Sequence, residues 1–310
     1  MVRNAHYKKT DKKIYPPRRN PNNYKPVRVP SAYKAIALGA ANLKKEESRM
    51  EIVKSPINNI VESAFIHVSD LRRSAEWYSM VMGLPVLEER LNGGNVYWFM
   101  LEGGTGIILD DNKSNGPDTP RVRYMYKTSD IEKSHQFLES QGVSPLYAID
   151  RPHSGLAFFM FEDPDGNSLM VTQSDYVSDV VERLENTESP ILNRIGGIFL
   201  HVTDMNRAIR FHSEVLSLPF HEVGTGQEDS IYDLKMKSGS GVLLDDNHYR
   251  NGDCEALFML VTPDVDGSKA FLEANGVPVF TDIERPGGKL AFFTVKDPDD
   301  NVIMICSEDE

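Results

Sequence analysis

The sequence predicts an α+β fold built from two tandem units, each made of two βαβββ-type modules, so four modules in all. Three observations predict it. First, the body of the chain repeats itself. The segment FIHVSDLRRSAEWYSMVMGLP from Phe65 returns as FLHVTDMNRAIRFHSEVLSLP from Phe199, 134 residues on. FLESQGV from Phe137 returns as FLEANGV from Phe271, GIILDDN from Gly106 as GVLLDDN from Gly241, and DRPHSGLAFFMFEDPDGN from Asp150 as ERPGGKLAFFTVKDPDDN from Glu284. A self-similarity held in one order throughout is the mark of a duplicated unit. Second, period-2 apolar runs alternate with amphipathic helical segments inside each copy. Third, the 310 residues suit two domains, and 40% hydrophobic residues supply a core for each.

The elements follow in order. Val61–Val68 is apolar with small residues and predicts a strand. Asp70 stands where a helix N-cap belongs, and Leu71, Ala75, Tyr78 and Met82 follow at helical spacing. Gly83-Leu84-Pro85 ends that helix, because glycine accepts the left-handed terminal conformation and proline cannot continue a helix. Val96–Leu101 and Gly106–Leu109 predict strands joined by a glycine turn. The second module repeats the scheme. Val122–Lys127 is a strand, Asp130 caps a helix running through Leu138, and Gly142 ends it. Ala157–Phe161 and Ser168–Val171 are strands around the turn Asp163–Asn167, and the Arg151-Pro152 and Arg285-Pro286 pairs read as turns. The predicted organisation is a basic leader over 1–59, a first unit over 60–174, a charged linker over 175–194 and a second unit over 195–310.

Charge separates the leader from the body. Residues 1–49 carry 13 Lys/Arg against 3 Asp/Glu, a net of +10, which leaves −22 of the chain's −12 on residues 50–310. The leader is rich in Lys, Arg, Pro and Asn and lacks periodicity, so it is read as disordered, with a short helix over 31–49. A contact between this basic arm and nucleic acid or an acidic partner is the other reading. The acidic body argues against nucleic acid as the main partner. No run of about 18 apolar residues predicts a membrane span, and no secretory signal is recognisable, so the expected location is the cytoplasm. Two cysteines, Cys254 and Cys306, exclude a disulfide scaffold and a four-cysteine zinc site. Neither has a neighbour that would make it a catalytic thiol. Phosphate-binding, hydrolase and zinc-protease motifs are absent.

On HVSDLRRSAEWYSMVMGLP, its copy HVTDMNRAIRFHSEVLSLP and the DPDGN and DPDDN turns, the chain resembles the vicinal oxygen chelate superfamily over about 60–174 and 195–308. That group includes glyoxalase I, extradiol dioxygenases, fosfomycin-resistance proteins and bleomycin-binding proteins. The resemblance implies curved, incomplete barrels that enclose a cleft, with pairing of modules supplied within the chain, as a monomer or a homodimer. In metal-dependent relatives the ligands fall at positions that here hold Ser63 and Gly197, Arg123 and Leu257, Met170 and Met304, with a fourth near Leu109 and Leu244. None is a good hard-metal ligand. No cofactor is therefore expected, and glyoxalase I and extradiol dioxygenase chemistry, which both use an ion, are disfavoured.

The remaining polar residues supply the candidate site. Alternation puts Ser63, Phe65 and His67 on one face of the opening strand, so His67 and its copy His201 are expected to point into the clefts. Each is either a ligand-binding group or a histidine hydrogen-bonded to backbone or carboxylate. Arg123 stands at a ligand-type position in the first unit only, as an anion anchor, an internally paired cation or a strand-edge arginine reaching solvent. Asp110 and Asp245 belong to Asp-Asp-Asn strand ends that read first as turns, with one Asp of each pair inward. Tyr97 and Tyr232, with Trp98, are expected to line the clefts with Met170 and Met304. The expected function is the binding of a small organic molecule in a barrel cleft without a metal, by analogy with antibiotic-sequestering relatives. The body's charge favours a cationic ligand and Arg123 an anionic group. The alternative is a metal-dependent lyase, isomerase or dioxygenase that holds a divalent metal at non-standard ligands such as His67, His201 and the Asp pairs. A third reading is a structural or regulatory module acting through the leader.

Overall fold

The computed structural model describes residues 54–111, 120–176, 179–224, 230–237, 239–247, 255–287 and 289–307. The leader with its 31–49 helix, Asn112 and Cys254 lie outside these described residues. Two seven-stranded sheets make up the body. The first has the order β2-β3-β1-β4-β7-β6-β5, from β1 (Ile57–His67), β2 (Val96–Phe99), β3 (Gly106–Asp110), β4 (Val122–Thr128), β5 (Asp150–His153), β6 (Leu156–Glu162) and β7 (Ser168–Ser174). The second has the order β12-β13-β14-β11-β8-β10-β9, from β8 (Ile195–His201), β9 (Ile231–Asp233), β10 (Gly241–Asp245), β11 (Ala256–Thr262), β12 (Glu284–Gly287), β13 (Leu290–Lys296) and β14 (Val302–Ser307). In each sheet the opening strands of the two modules pair antiparallel, β1 with β4 and β8 with β11.

Among the described residues four α-helices cover one face of the sheets: α1 (Leu71–Met82), α2 (Ile131–Ser140), α3 (Met205–Leu216) and α4 (Val265–Ala274). Each starts on an aspartate, Asp70, Asp130, Asp204 or Asp264, whose carboxylate accepts from the backbone N–H three residues on. Their buried stripes meet alternate strand residues. Ala75, Tyr78, Val81 and Met82 of α1 join a core with Ile66, Leu109, Tyr97 and Phe99. The other face of each sheet is concave. Among the described residues no helix is long and apolar enough to cross a membrane.

The Arg151-Pro152 and Arg285-Pro286 pairs, read from sequence as turns, lie in β5 and β12. Both are sheet-edge strands, where a missing N–H faces no partner, so proline is tolerated. The segment after β7 is tied to the ends of β2 and α1: Val181 N–H donates to Met100 O (2.8 Å), Leu184 N–H to Gly83 O (2.8 Å) and Arg183 Nε to Met82 O (3.1 Å).

Gly83 closes α1 at φ 68°, and a Cβ there would sit 2.3 Å from Thr187 Oγ1 on that same segment. Gly83→Ala therefore carries both the left-handed penalty of about 1–2 kcal/mol and a clash. A fall in the urea midpoint with an unchanged m-value is expected. No fall would mean that the segment moves aside without cost.

The two units are clasped by their DPDGN and DPDDN turns. Asp299 of the second unit accepts from Ser69 N–H (3.1 Å), Ser69 Oγ (2.6 Å) and Arg73 (2.8 Å) at the start of α1. Asp165 of the first unit accepts in the same way from Thr203 N–H (2.9 Å) and Arg207 (2.6 Å) at the start of α3. Asn301 Nδ2 donates to His67 O (3.1 Å) and Asn167 Nδ2 to His201 O (3.0 Å). Deeper in, Tyr78 OH donates to Asp297 Oδ2 (2.9 Å), while its counterpart His212 donates through Nε2 to Asp163 Oδ2 (3.2 Å).

Candidate functional site

The strand registers order the concave face of the first unit into rows. Trp98 pairs with Ile108, and Ile108 with Phe65. The β1–β4 register, Ser63 with Met125 and Ala64 with Tyr124, then sets Arg123 beside Phe65. One row thus runs Trp98–Ile108–Phe65–Arg123. Three strand spacings of about 4.8 Å separate its ends, or about 14 Å. The next row runs Ser63–Met125–Met170–Met160. At the other side of Arg123, His67 pairs with Asp110. Phe65, His67, Trp98, Ile108, Asp110, Arg123, Met125, Met160 and Met170 are all half-buried. This is an apolar, methionine-rich floor with polar groups at one end.

His67 Nε2 lies 3.0 Å from Val122 O and His201 Nε2 3.1 Å from Ala256 O. A carbonyl can only accept, so Nε2 carries the proton in both rings and Nδ1 is the basic atom of the neutral form. Asp245 Oδ1 accepts from Asn247 N–H (2.8 Å), the turn geometry that the Asp-Asp-Asn sequence suggests. Trp98 lies under a cation, with Arg90 Cζ 4.7 Å from its ring centroid and a hydrogen bond from Arg90 to its carbonyl.

Tyr97 and Tyr232 do not line the clefts. Tyr97 pairs with Leu109 and Tyr232 with Leu244, residues of the helix-covered face. Tyr97 is fully buried, and its hydroxyl accepts from Leu87 N–H (2.9 Å). Burial raises the phenol of both tyrosines above its ordinary pKa. Strand alternation sends the neighbour, Trp98, to the cleft instead. Sequence reasoning placed Phe65 on the cleft face but passed over Met125, Met160 and Phe158 as floor residues, although the same alternation marks them.

The second unit has the same rows with a different outcome. Phe199, Leu243, Phe292, Met304 and Cys306 are at most 5% exposed and form a hydrophobic cluster of their own, with Met259 packed against it. The first-unit counterparts of Phe199, Leu243, Phe292 and Met304, namely Phe65, Ile108, Phe158 and Met170, are only half-buried, while the counterpart of Cys306, Thr172, is also buried. At Gly197 a Cβ would lie 3.1 Å from Leu243 Cδ1 and 3.2 Å from Met259 Cε, so neighbouring side chains already fill that position. His201 and Asp245 are buried at the cluster's polar end. Met304 is thus part of a closed apolar cluster, whereas Met170 faces an open one.

Arg123 is the sharpest difference between the units, where the second has Leu257. Among the described residues no hydrogen bond or ion pair engages its guanidinium, although it is half-buried. Lys127, on the same strand face, is paired with Glu62 at 3.1 Å, and Arg90 is engaged with Trp98.

A divalent metal bound as in metal-dependent relatives does not fit these residues. The ligand-type positions of the first unit present a hydroxyl (Ser63), a guanidinium (Arg123) and a thioether (Met170), and in the second the Gly197 position is filled. Among the described residues no three His, Cys, Asp or Glu side chains converge into a metal-binding group.

Comparison with known proteins agrees with this architecture. Residues 57–171 match the model of the Glyoxalase/Bleomycin resistance protein/Dioxygenase superfamily. The structure is similar to the Mn(II)-bound glyoxalase from Novosphingobium aromaticivorans, at a TM-score of 0.57 and 17% identity over 82% of this chain and 83% of that one. It is similar to homoprotocatechuate 2,3-dioxygenase from Brevibacterium fuscum (E323L mutant), at 0.57 and 18% over 85% and 75%. It is also similar to the 2,3-dioxygenase LapB from Pseudomonas sp. KL28, at 0.52 and 14% over 81% and 92%. At these identities the likeness is one of fold. No curated protein sequence matches the chain. The match to the Glyoxalase/Bleomycin resistance protein/Dioxygenase superfamily covers residues 57–171, within the first unit, and the second unit repeats that unit's sequence and sheet order, so the chain is a tandem of two units with the superfamily's fold.

Proposed function

We propose that this chain binds one small organic molecule, an apolar body bearing an anionic group, on the concave face of its first unit, and does so without a resident divalent metal. The observation that carries the reading is Arg123: a half-buried residue whose guanidinium has no hydrogen bond or ion pair among the described residues, in one unit only. A buried or half-buried charge is costly until it is paired. A carboxylate or similar anion would pair with it bidentately. The Phe65–Ile108–Trp98 row and the methionines beside it give the apolar body a surface that can adapt its shape. The body's net negative charge acts at long range and is screened within about 8 Å at physiological salt. The local guanidinium therefore decides the sign of the ligand's head group.

Calorimetry with 2-naphthoate, 2-naphthamide and 2-naphthylmethylammonium tests this. The carboxylate is expected to bind at one equivalent per chain, the amide more weakly and the ammonium not at all. Preference for the ammonium, or two equivalents of carboxylate, would refute the reading. Metal content of protein purified without chelator is expected to be well below one equivalent. Near-stoichiometric metal that disappears in a His67→Ala/His201→Ala double variant would instead favour a metal-dependent lyase, isomerase or dioxygenase.

A further inference from the structure

We infer that the Glu62–Lys127 ion pair of the first unit is a second station of its cleft, which takes an uncharged donor–acceptor group, a carboxamide, at the far end of the acid held by Arg123. The inference deepens the proposed function and rests on it for the placing of the acid.

Arg123, Met125 and Lys127 alternate with the buried Tyr124 and Tyr126 along β4, so all three lie on the concave face. Glu62 reaches that face through a β-bulge. Val61 pairs with Tyr126 and Ser63 with Met125, which leaves Glu62 as the extra residue of β1. A bulge re-aims the side chain it adds, and here Glu62 Oε1 accepts from Lys127 Nζ at 3.1 Å. Four residues of strand, about 13 Å, separate Arg123 from Lys127. Met125 lies between them, paired with Met170. A guanidinium and an ion pair thus bound one apolar stretch of the floor.

Stability does not explain the pair. The second unit keeps the bulge, with Gly197 paired to Met259 and Ile195 to Leu260, but its extra residue is Gly196 and its counterpart of Lys127 is Val261. A Cβ on Gly196 would lie 2.7 Å from Val261 Cγ1 and 3.1 Å from Met259 Cγ, so apolar side chains fill that place. The fold therefore needs no charge there, and a partly buried ion pair gains little over an apolar replacement. Like Arg123, the pair occurs only in the unit whose floor is open. Nor are its members saturated. Glu62 Oε2 is buried and has no hydrogen-bond partner among the described residues. Lys127 has three donors and spends one on Glu62, and its side chain is 39% exposed against 14% for Glu62. The pair neutralises itself, so a second full charge on the ligand gains nothing from it. What stays open is a donor beside an acceptor. A carboxamide is their complement: its oxygen accepts from Nζ and its N–H donates to the carboxylate. The long Lys127 stem and the methionines beside it are flexible enough to admit it.

Calorimetry on the full chain with 2-naphthoate, 6-carbamoyl-2-naphthoate, 6-cyano-2-naphthoate and 2,6-naphthalenedicarboxylate tests this. The proteins are wild type and Glu62→Gly/Lys127→Val, which installs the residues of the second unit. The carbamoyl acid is expected to bind wild type about 10- to 150-fold more tightly than 2-naphthoate, the equivalent of one hydrogen bond to a charged group. The cyano acid, which can only accept, and the dicarboxylate should gain less. In the double variant the carbamoyl acid should lose its advantage while 2-naphthoate still binds. No advantage in wild type that binds 2-naphthoate, or an advantage kept in the folded double variant, would overturn the inference and leave the anion site standing. An equal gain from the dicarboxylate would overturn it by showing that the station takes charge, and an equal gain from the cyano acid by showing that Glu62 accepts nothing. Failure of all four acids to bind wild type would sink the proposed function and this inference with it. Should the double variant not fold, the wild-type series decides alone.

Discussion

Asp163→Ala is expected to destabilise the chain by about 3–5 kcal/mol, the cost of taking a buried carboxylate away from the buried donors that it satisfies. Both Asp163 and His212 have side chains with no exposure, and their contact joins the first unit's DPDGN turn to the second unit's α3. Asp163 also accepts from Asp165 N–H (2.9 Å), Asn167 N–H (2.8 Å) and Asn167 Nδ2 (2.8 Å). Truncation would leave four donors, three of them in buried contacts, short of an acceptor. His212→Ala should be costly for the same reason. His212→Tyr should recover part of the loss, because the mirror clasp already works as a Tyr78 hydroxyl on Asp297. The measurement is urea unfolding at neutral pH. A loss below about 1 kcal/mol would put Asp163 with ordinary surface substitutions and show that the clasp does not hold the units.

The two clasps are also expected to answer pH oppositely. Burial pushes the Asp163 carboxyl up, but the hydrogen bond and charge of His212, with the Asn167 hydrogen bonds, outweigh it and hold the group below its usual range. Such a group contributes stability above its unfolded value of about 3.9, and that contribution is lost as pH falls through the folded value. For Asp297 burial wins and the carboxyl is raised. Its contribution favours the folded chain at low pH and is lost as pH rises through the raised value. Acid should therefore open the Asp163–His212 clasp first. The acid dependence of stability should flatten in Asp163→Asn more than in Asp297→Asn.

The parts of the fold that were legible in the sequence are those set by local chemistry. Asp70, Asp130, Asp204 and Asp264 announce helix starts because a carboxylate immediately before an apolar stripe has a backbone donor three residues on to satisfy. The repeat carried this reading from one unit to the other. What was not legible depends on register and on distant partners. Tyr97 and Trp98 are adjacent aromatics, and only the pairing of Tyr97 with Leu109 decides which of them faces the cleft. The DPDGN turn reads locally as a turn. Its second use, as an acceptor for Thr203, Arg207 and His212, needs residues about 40 positions away. The closure of the second cleft was hidden because Phe65 and Phe199, or Met170 and Met304, are the same residue types in open and closed settings. The Arg123/Leu257 difference was visible, and the structure adds that Arg123 lacks an ion-pair partner among the described residues.

Arg123→Leu is expected to weaken 2-naphthoate binding by about 10- to 150-fold, the equivalent of the 1.5–3 kcal/mol that a hydrogen bond to a charged group contributes. Arg123→Lys should fall between the two, since an ammonium keeps the charge and loses the planar pair of donors. Stability should change little or rise, because Leu257 shows that this position accepts an aliphatic side chain in the same fold. The reciprocal substitution is the more demanding test. Leu257→Arg restores the guanidinium on the second unit, yet Phe199, Leu243 and Met304 there are at most 5% exposed. With that floor already filled by its own side chains, the new arginine should gain no 2-naphthoate site. A second equivalent of binding in Leu257→Arg would show that the guanidinium alone suffices and that the open apolar floor of the first unit is not what selects the ligand.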